Sequence, residues 1–252
     1  MPAPTKASSY SLDDFTSFLS FLTENGIEFS VIGGCAVGAY AHLRGVQVLS
    51  GDLDVYTSPQ DLYLVVEKVR RAGVSIRKTP RPRNIPVAVF EWDGKEINVL
   101  SASAGMPPAD TVLRLAREFH FQKCPGLRVL VADPYDLLAN KLAVNRPRDR
   151  AHVEVLCAFI EEEIVEAFSG EEEPRKRIGP AKRYLRVTRR KMLSPALADR
   201  LIPHARLASD FRFLAGAVPS DEHARLLLER APESASEEVQ SILSRRRFRT
   251  PR

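Results

Sequence analysis

Cysteine is scarce: Cys35, Cys124 and Cys157 are the three in 252 residues. Odd in number and widely spaced, they exclude a disulfide framework or a zinc knuckle and make a reducing cytoplasm the expected compartment. No run approaches the ~20 uninterrupted apolar residues of a membrane span, so no membrane partner is expected. The opening Met1-Pro-Ala-Pro-Thr-Lys6 lacks the apolar core of a signal peptide. Glycine (13) and proline (18) are too few for a collagen-like or low-complexity chain, and no internal repeat is visible. What is present is 44% apolar and 27% charged, enough to fill one or two cores and to exclude a wholly disordered chain.

The net charge of +5 is unevenly placed. Residues 1–158 are nearly balanced, at +1, whereas 159–252 carry +4. Within that tail, Glu161 to Glu173 holds seven glutamates and no base, and Arg175 to Arg206 holds 11 bases against Asp199 alone. At ~100° per residue, Lys182, Arg183, Arg186, Arg189 and Arg190 fall within a third of a helix circumference. Such a stripe repels itself unless anions face it. Phosphate backbone is one partner; the Glu161–Glu173 run folding back is the other, and the sequence leaves both open.

Hydrophobic periodicity divides the chain into elements. Ser11-Leu-Asp-Asp14 caps a helix that carries Leu12, Phe15, Phe18, Leu19 and Leu22 and stops at Gly26. A strand Phe29–Ile32 runs into Gly33-Gly34, and small residues then continue as a helix. Leu53–Tyr56 is a second strand. Ser58-Pro59 opens a helix closed by Gly73; Val74–Lys78 is a strand, and Pro80–Arg83 a loop. Pro86–Trp92 and Lys95–Leu100, joined by Asp93-Gly94, read as a hairpin with a two-residue turn. That turn sets Trp92 against Lys95, Glu91 against Glu96 and Val89 against Asn98, with Ile97 and Val99 on the opposite face. Pro107–Phe121 reads as helix and Leu127–Val131 as strand. Asp133-Pro134 caps a helix to about Asn145, and another runs from about Asp149 toward Phe168. The rest reads helical, broken at Gly179-Pro180, Pro195, Pro203, Pro219 and Pro232. Strands early and helices late predict a mixed α/β domain over 1–158, its sheet flanked by helices, and an all-helical region over 159–252.

Three features carry chemistry. Gly33 and Gly34, between strand and helix, allow a phosphate to approach backbone N–H groups, or serve a tight turn. Asp52 and Asp54 project to one strand face about 7 Å apart; they can share a divalent cation or sit on a solvated edge. Lys141, Arg146, Arg148 and Asp149 gather at a helix junction as a triphosphate clamp or a salt-bridge network. Cys35 reads as a small core residue, His152 as a helix-surface residue, and Phe90 and Trp92 as packing. The five histidines show no metal-ligand spacing.

In this order the features resemble a family. Ile32-Gly-Gly-Cys-Ala-Val, then Arg44, then Ser50-Gly-Asp-Leu-Asp54 is similar to the "hGG-x-A-h … R-x-T-x-D-h-D" motif of the minimal nucleotidyltransferase superfamily. Pro134-Tyr-Asp-Leu-Leu-Ala-Asn-Lys141 through Leu156 resembles its "DLLAxKLxAxRxKDxxDhxxL" segment, as in the AbiEii-like toxin branch. The resemblance implies a nucleotidyltransferase-like fold and Mg²⁺-dependent transfer of a nucleoside monophosphate from an NTP to a hydroxyl. Asp52 and Asp54 would hold the metal; Gly33, Gly34, Ser50, Lys141, Arg146 and Asp149 would hold the nucleotide. With the basic stripe, it implies RNA, such as a tRNA end, as acceptor and a cognate antitoxin as partner. The chain departs from the pattern at four points. Asn98 stands where a third acid is usual, leaving Glu96, two residues earlier, as the substitute. His152 replaces the second Asp of "KDxxD", Ser50 replaces Thr, and the Arg44-to-Asp52 spacing is longer. Loss of the third acid implies the alternative of an inactive member that binds nucleic acid or a partner.

Overall fold

The computed structural model describes residues 9–81, 87–121, 124 and 126–246. The start of the chain, the Arg83 end of the Pro80–Arg83 loop, Pro86 and the last six residues lie outside the described residues. Two compact units divide at Phe159–Ile160.

In the first unit a 3₁₀ turn, Leu12–Phe15, leads into α1 (Thr16–Glu24); the Ser11 N–H donates to Asp14 Oδ2 at 2.8 Å. There follow β1 (Phe29–Ile32), α2 (Gly33–His42), β2 (Asp52–Thr57), α3 (Pro59–Arg71), β3 (Ile76–Lys78), β4 (Val87–Trp92) and β5 (Lys95–Leu100). Next come α4 (Ala109–Leu115), β6 (Arg117–His120), β7 (Arg128–Val131), α5 (Pro134–Val144) and, after a 3₁₀ turn at Pro147–Asp149, the start of α6 (Arg150–Gly170). Seven strands form one mixed sheet in the order β3-β4-β5-β2-β1-β7-β6. The β1 and β2 strands are antiparallel, whereas β2 runs parallel to β5 and β1 parallel to β7. The hairpin forms with the register that its turn dictates. Asp93 (φ 50°) and Gly94 (φ 73°) both take the left-handed conformation that a type I′ turn requires.

Apolar residues of α2 and the central strands make the core. Val31, Leu53, Val55, Ile97, Val99 and Val131 are fully buried, as are Ala36, Val37 and Tyr40 of α2. The Tyr40 hydroxyl donates to the Ala132 carbonyl at 2.9 Å, closing α2 onto the end of β7. Ser58 Oγ accepts from the Asp61 N–H at 3.0 Å and starts α3.

Two expectations fail in instructive ways. The helix expected over Pro107–Phe121 stops at Leu115, and Arg117–His120 instead becomes an edge strand paired with Arg128–Val131. Arg117-Glu-Phe-His120 alternates in exposure once paired with β7, and Phe119 packs edge-on to Tyr40 at 5.3 Å; tertiary pairing overrides local propensity. In the second unit the break expected at Gly179-Pro180 does not occur.

That second unit holds the remainder of α6 and α7 (Pro174–Thr188), α8 (Pro195–Leu201), α9 (Ala208–Ala217), α10 (Asp221–Arg230) and α11 (Glu233–Ser244). Pro180 lies inside α7, where it removes one hydrogen bond; buried Arg177, Ala181 and Tyr184 anchor the turns on either side. Arg177 is entirely buried, as is Asp210. The Arg177 Nε donates to both Asp210 oxygens, at 3.2 and 3.1 Å, and Nη2 donates to Oδ2 at 2.8 Å. One Nη1 proton reaches the carbonyl of Glu171 (2.7 Å) and the other Nη2 proton that of His204 (2.9 Å), and Phe168 covers the guanidinium at 5.0 Å. Among the described residues no helix is long and apolar enough to cross a membrane.

Candidate active site

Strand β2 supplies the centre of the site because its sequence alternates. Leu53 and Val55 enter the core on one face, which forces Asp52 and Asp54 together onto the other. Parallel pairing sets Asp54 beside Asn98 and Asp52 beside Glu96. Asn98 Nδ2 then donates to Asp52 Oδ2 at 3.0 Å and to Asp54 Oδ1 at 3.1 Å. Both neighbours are acceptors, so the amide must turn its NH₂ toward them. Glu96 turns elsewhere: its carboxylate accepts from Arg77 Nη1 at 3.2 Å, and Arg77 also pairs with Glu91. The position of the third acid is thus filled by an amide that bridges the other two.

Gly33 and Gly34 press against this group. Gly33 has φ +70°, and a Cβ there would lie 1.9 Å from Asp54 Oδ2; one on Gly34 would lie 2.5 Å from Ser50 Oγ. Glycine is required at both positions by space, and at Gly33 also by conformation. Ser50 Oγ in turn donates to Asp52 Oδ1 at 3.0 Å. Cys35 is buried, with its thiol directed to the Asp52 carbonyl at 3.3 Å. Burial, and after it the charges of Asp54 and Asp52, push the thiol pKa up; it fills space and is no nucleophile at neutral pH.

A second cluster comes from the C-terminal end of α5 and the turn after it. Lys141 and Asp149 are both almost fully buried, with Nζ 3.3 Å from Asp149 Oδ1. Asn145, in the left-handed conformation, ends α5 and lets Arg146 fold back. Its Nε and Nη2 donate to the two Asp149 oxygens at 2.7 and 3.3 Å. Burial would raise the Asp149 pKa, but the Arg146 hydrogen bond and the Lys141 charge outweigh it and hold the carboxyl below its ordinary value. His152, expected on a helix surface, is instead only 20% exposed. Its Cε1 lies 3.6 Å from the place of a Gly34 Cβ.

The two clusters feel each other. Burial, and then the Asp52 charge, push the Asp54 carboxyl up to about 6; the Asn98 amide and the charges of Lys141 and Arg146 pull the other way. The arrangement is a pair of carboxylates beside a side-chain-free backbone turn, with two fixed cations nearby. Among the described residues no group of three His, Cys, Asp or Glu could hold a metal.

The basic stripe is shorter than expected. Helix α7 ends at Thr188, and Arg189 (φ 56°) reverses the chain. Lys182, Arg183 and Arg186 share the helix, whereas Arg189 and Arg190 follow in the turn. All but half-buried Arg183 are exposed. The glutamate run touches this helix: Glu161 accepts from the Tyr184 hydroxyl at 2.9 Å, and Glu173 pairs with Lys176 at 3.3 Å. Sequence reasoning missed Arg177, whose spacing from Ala181 and Tyr184 marks it as lying on the buried face of α7 rather than in the charged block.

No family model and no curated protein matches the chain. Solved structures similar to it include the lincosamide antibiotic adenylyltransferase LnuA with lincomycin bound, at 11% identity and TM-score 0.46, covering 60% of this chain and 99% of that one. ANT(2″)-Ia in complex with adenylyl-2″-tobramycin is similar at 14% identity and TM-score 0.42, covering 68% and 97%. An antigenic nucleotidyltransferase-like protein from Paracoccidioides brasiliensis is similar at 12% identity and TM-score 0.42, covering 81% and 99%.

Proposed function

We propose that the chain transfers a nucleoside monophosphate from an NTP to an acceptor hydroxyl. The observation that carries this reading is the convergence of Asp52 and Asp54 with the Gly33–Gly34 turn and the Lys141–Arg146–Asp149 cluster. A polyphosphate needs close backbone approach and fixed positive charge. A divalent cation suits the donor set, since Mg²⁺ takes one or two carboxylates and completes its shell with water and substrate phosphates. Asp52 and Asp54 would hold it, and it would supply charge neutralisation and acidify the attacking group. The backbone of Gly33 and Gly34 would approach the phosphates between the side chains of Asp54 and Ser50 that line the turn. Lys141, fixed by Asp149, presents a charge that need not reorganise during the reaction. Arg146 adds a donor at the rim. The acceptor oxygen would bond to the α-phosphorus, its proton released to solvent, as the bond to pyrophosphate breaks in line.

The test is incubation with labelled NTPs, Mg²⁺ and total RNA. Label is expected on RNA and lost in the Asp52→Ala, Asp54→Ala double variant; label that persists in the variant places the chemistry elsewhere.

RNA is the proposed acceptor because Lys182, Arg186, Arg189 and Arg190 are exposed cations on α7 and its C-terminal turn. Each phosphate contact removed should shallow the log–log salt dependence of binding by about one unit. Replacing Lys182, Arg186 and Arg190 by Gln is therefore expected to reduce the slope by up to about three. An unchanged slope removes RNA as acceptor.

One observation favours a second reading, an inactive binder of this fold. Asn98 has no proton-accepting group, and Glu96 is engaged with Arg77. Failure to bind NTP at millimolar Mg²⁺ would select it.

A further inference from the structure

His152 sits on the first turn of α6 against the start of α2. Nδ1 is sealed from solvent without a hydrogen-bond partner. The nearest acid, Asp149, is 3.7 Å away through Oδ1, too far for a hydrogen bond. A buried imidazole nitrogen left in this state costs stability, and such atoms call for an explanation. The charges that act on the ring are those of Lys141 from α5, Arg146 from the segment after it, and Arg148 and Asp149 from the 3₁₀ turn. Burial first, then the charge of Lys141, lower its pKa; Asp149 opposes them and the two arginines add to them. Without a ligand the ring is therefore neutral at pH 7. It also lies against Gly34, in the turn where the proposed reading puts the phosphates.

An anion there changes the balance. It offsets the three cations and offers Nε2 an acceptor. A proton on Nδ1 then gives Asp149 the donor that the 3.7 Å gap now lacks. We propose that His152 is a polyphosphate-binding residue that takes up one proton from solvent as the nucleotide binds, so that the imidazolium bridges the phosphates and Asp149. This rests on the nucleotidyl-transfer reading and adds to it a proton-coupled contact made by this chain's own histidine.

The experiment is calorimetric titration of the full chain with sodium tripolyphosphate, and with a non-hydrolysable NTP analogue plus Mg²⁺, near pH 7.5 in two buffers of different ionisation enthalpy. Wild type is expected to show net proton uptake with both probes, and its affinity should fall as pH rises from 6 to 8, approaching tenfold per unit. Asp54, with its carboxyl at about 6, also titrates beside this site, so His152→Gln and the shape-conserving His152→Asn should bind more weakly, with uptake lowered by up to one proton and a shallower pH dependence; retention of the wild-type melting profile confirms that they are folded. Binding without uptake in wild type, or uptake that is undiminished in both variants, overturns the proposal while leaving nucleotidyl transfer standing. Uptake with tripolyphosphate but no labelling from NTP upholds the histidine's role and overturns the transfer reading. Neither probe binding overturns both.

Discussion

Arg177→Met is expected to destabilise the helical unit by about 3–5 kcal/mol, the cost of leaving one member of a buried ion pair alone. Arg177 and Asp210 are both fully buried. The arginine alone satisfies two carboxylate oxygens and two backbone carbonyls. With the guanidinium gone, Asp210 keeps only the N–H donors of Arg206 and Leu207, at 3.1 and 3.0 Å. Those donors cap the start of α9 but do not neutralise a charge. The measurement is urea unfolding of the full chain, read as two transitions because it has two units. The transition belonging to the helical unit should move and the other should hold. A double change, Arg177→Met with Asp210→Leu, should recover part of the loss, since no uncompensated charge remains. Arg186→Gln, on the exposed side of the same helix, should stay within about 0.5 kcal/mol. A loss below about 1 kcal/mol in Arg177→Met would mean that the pair is no pillar of the unit.

Asn98→Asp is expected to tighten divalent-metal binding at the Asp52–Asp54 pair by at least about tenfold, a gain of ~1.4 kcal/mol. A unit charge about 4 Å away contributes ~4 kcal/mol at the effective dielectric of such a site, so tenfold is a conservative expectation. Wild type spends its amide protons on both carboxylates, which stabilises the metal-free pair and opposes a cation. The aspartate reverses both effects: it offers charge, and it adds a third repelling carboxylate when no metal is present. The variant should therefore melt below wild type in EDTA and gain more from Mn²⁺, with affinity read by electron paramagnetic resonance. Unchanged affinity would show that the amide does not face the cation's place. Faster labelling by the variant would set the wild-type amide as a brake on transfer.

Much of the fold is legible because local and tertiary signals agree there. Asp93-Gly94 needs two left-handed residues and has them, so the hairpin register follows from its turn. Asp52-Leu-Asp54 alternates, so its acids share a face. Arg117–His120 is less legible: its four residues become a strand only because β7 lies beside them, and its own composition carries no strand pattern. Pro180 misleads for the same reason, since buried neighbours carry the helix through it. In the site, the pairing of Asn98 with both acids depends on β5 lying parallel to β2, across 44 residues of chain. His152 needs a helix to deliver it against Gly34. Spacing records neither.

Strand β2 is the fourth of seven, with β1 hydrogen-bonded along one side and β5 along the other. Asp54 is therefore paired on both sides, while Asp52, at the start of the strand, is held on the β5 side. Amide exchange at Leu53 and Val55 should proceed only through global opening of the first unit, at the slowest rates in the molecule. Heating or denaturant then removes ligand binding and the sheet in a single step, and a one-residue slip of β2 would turn both acids into the core.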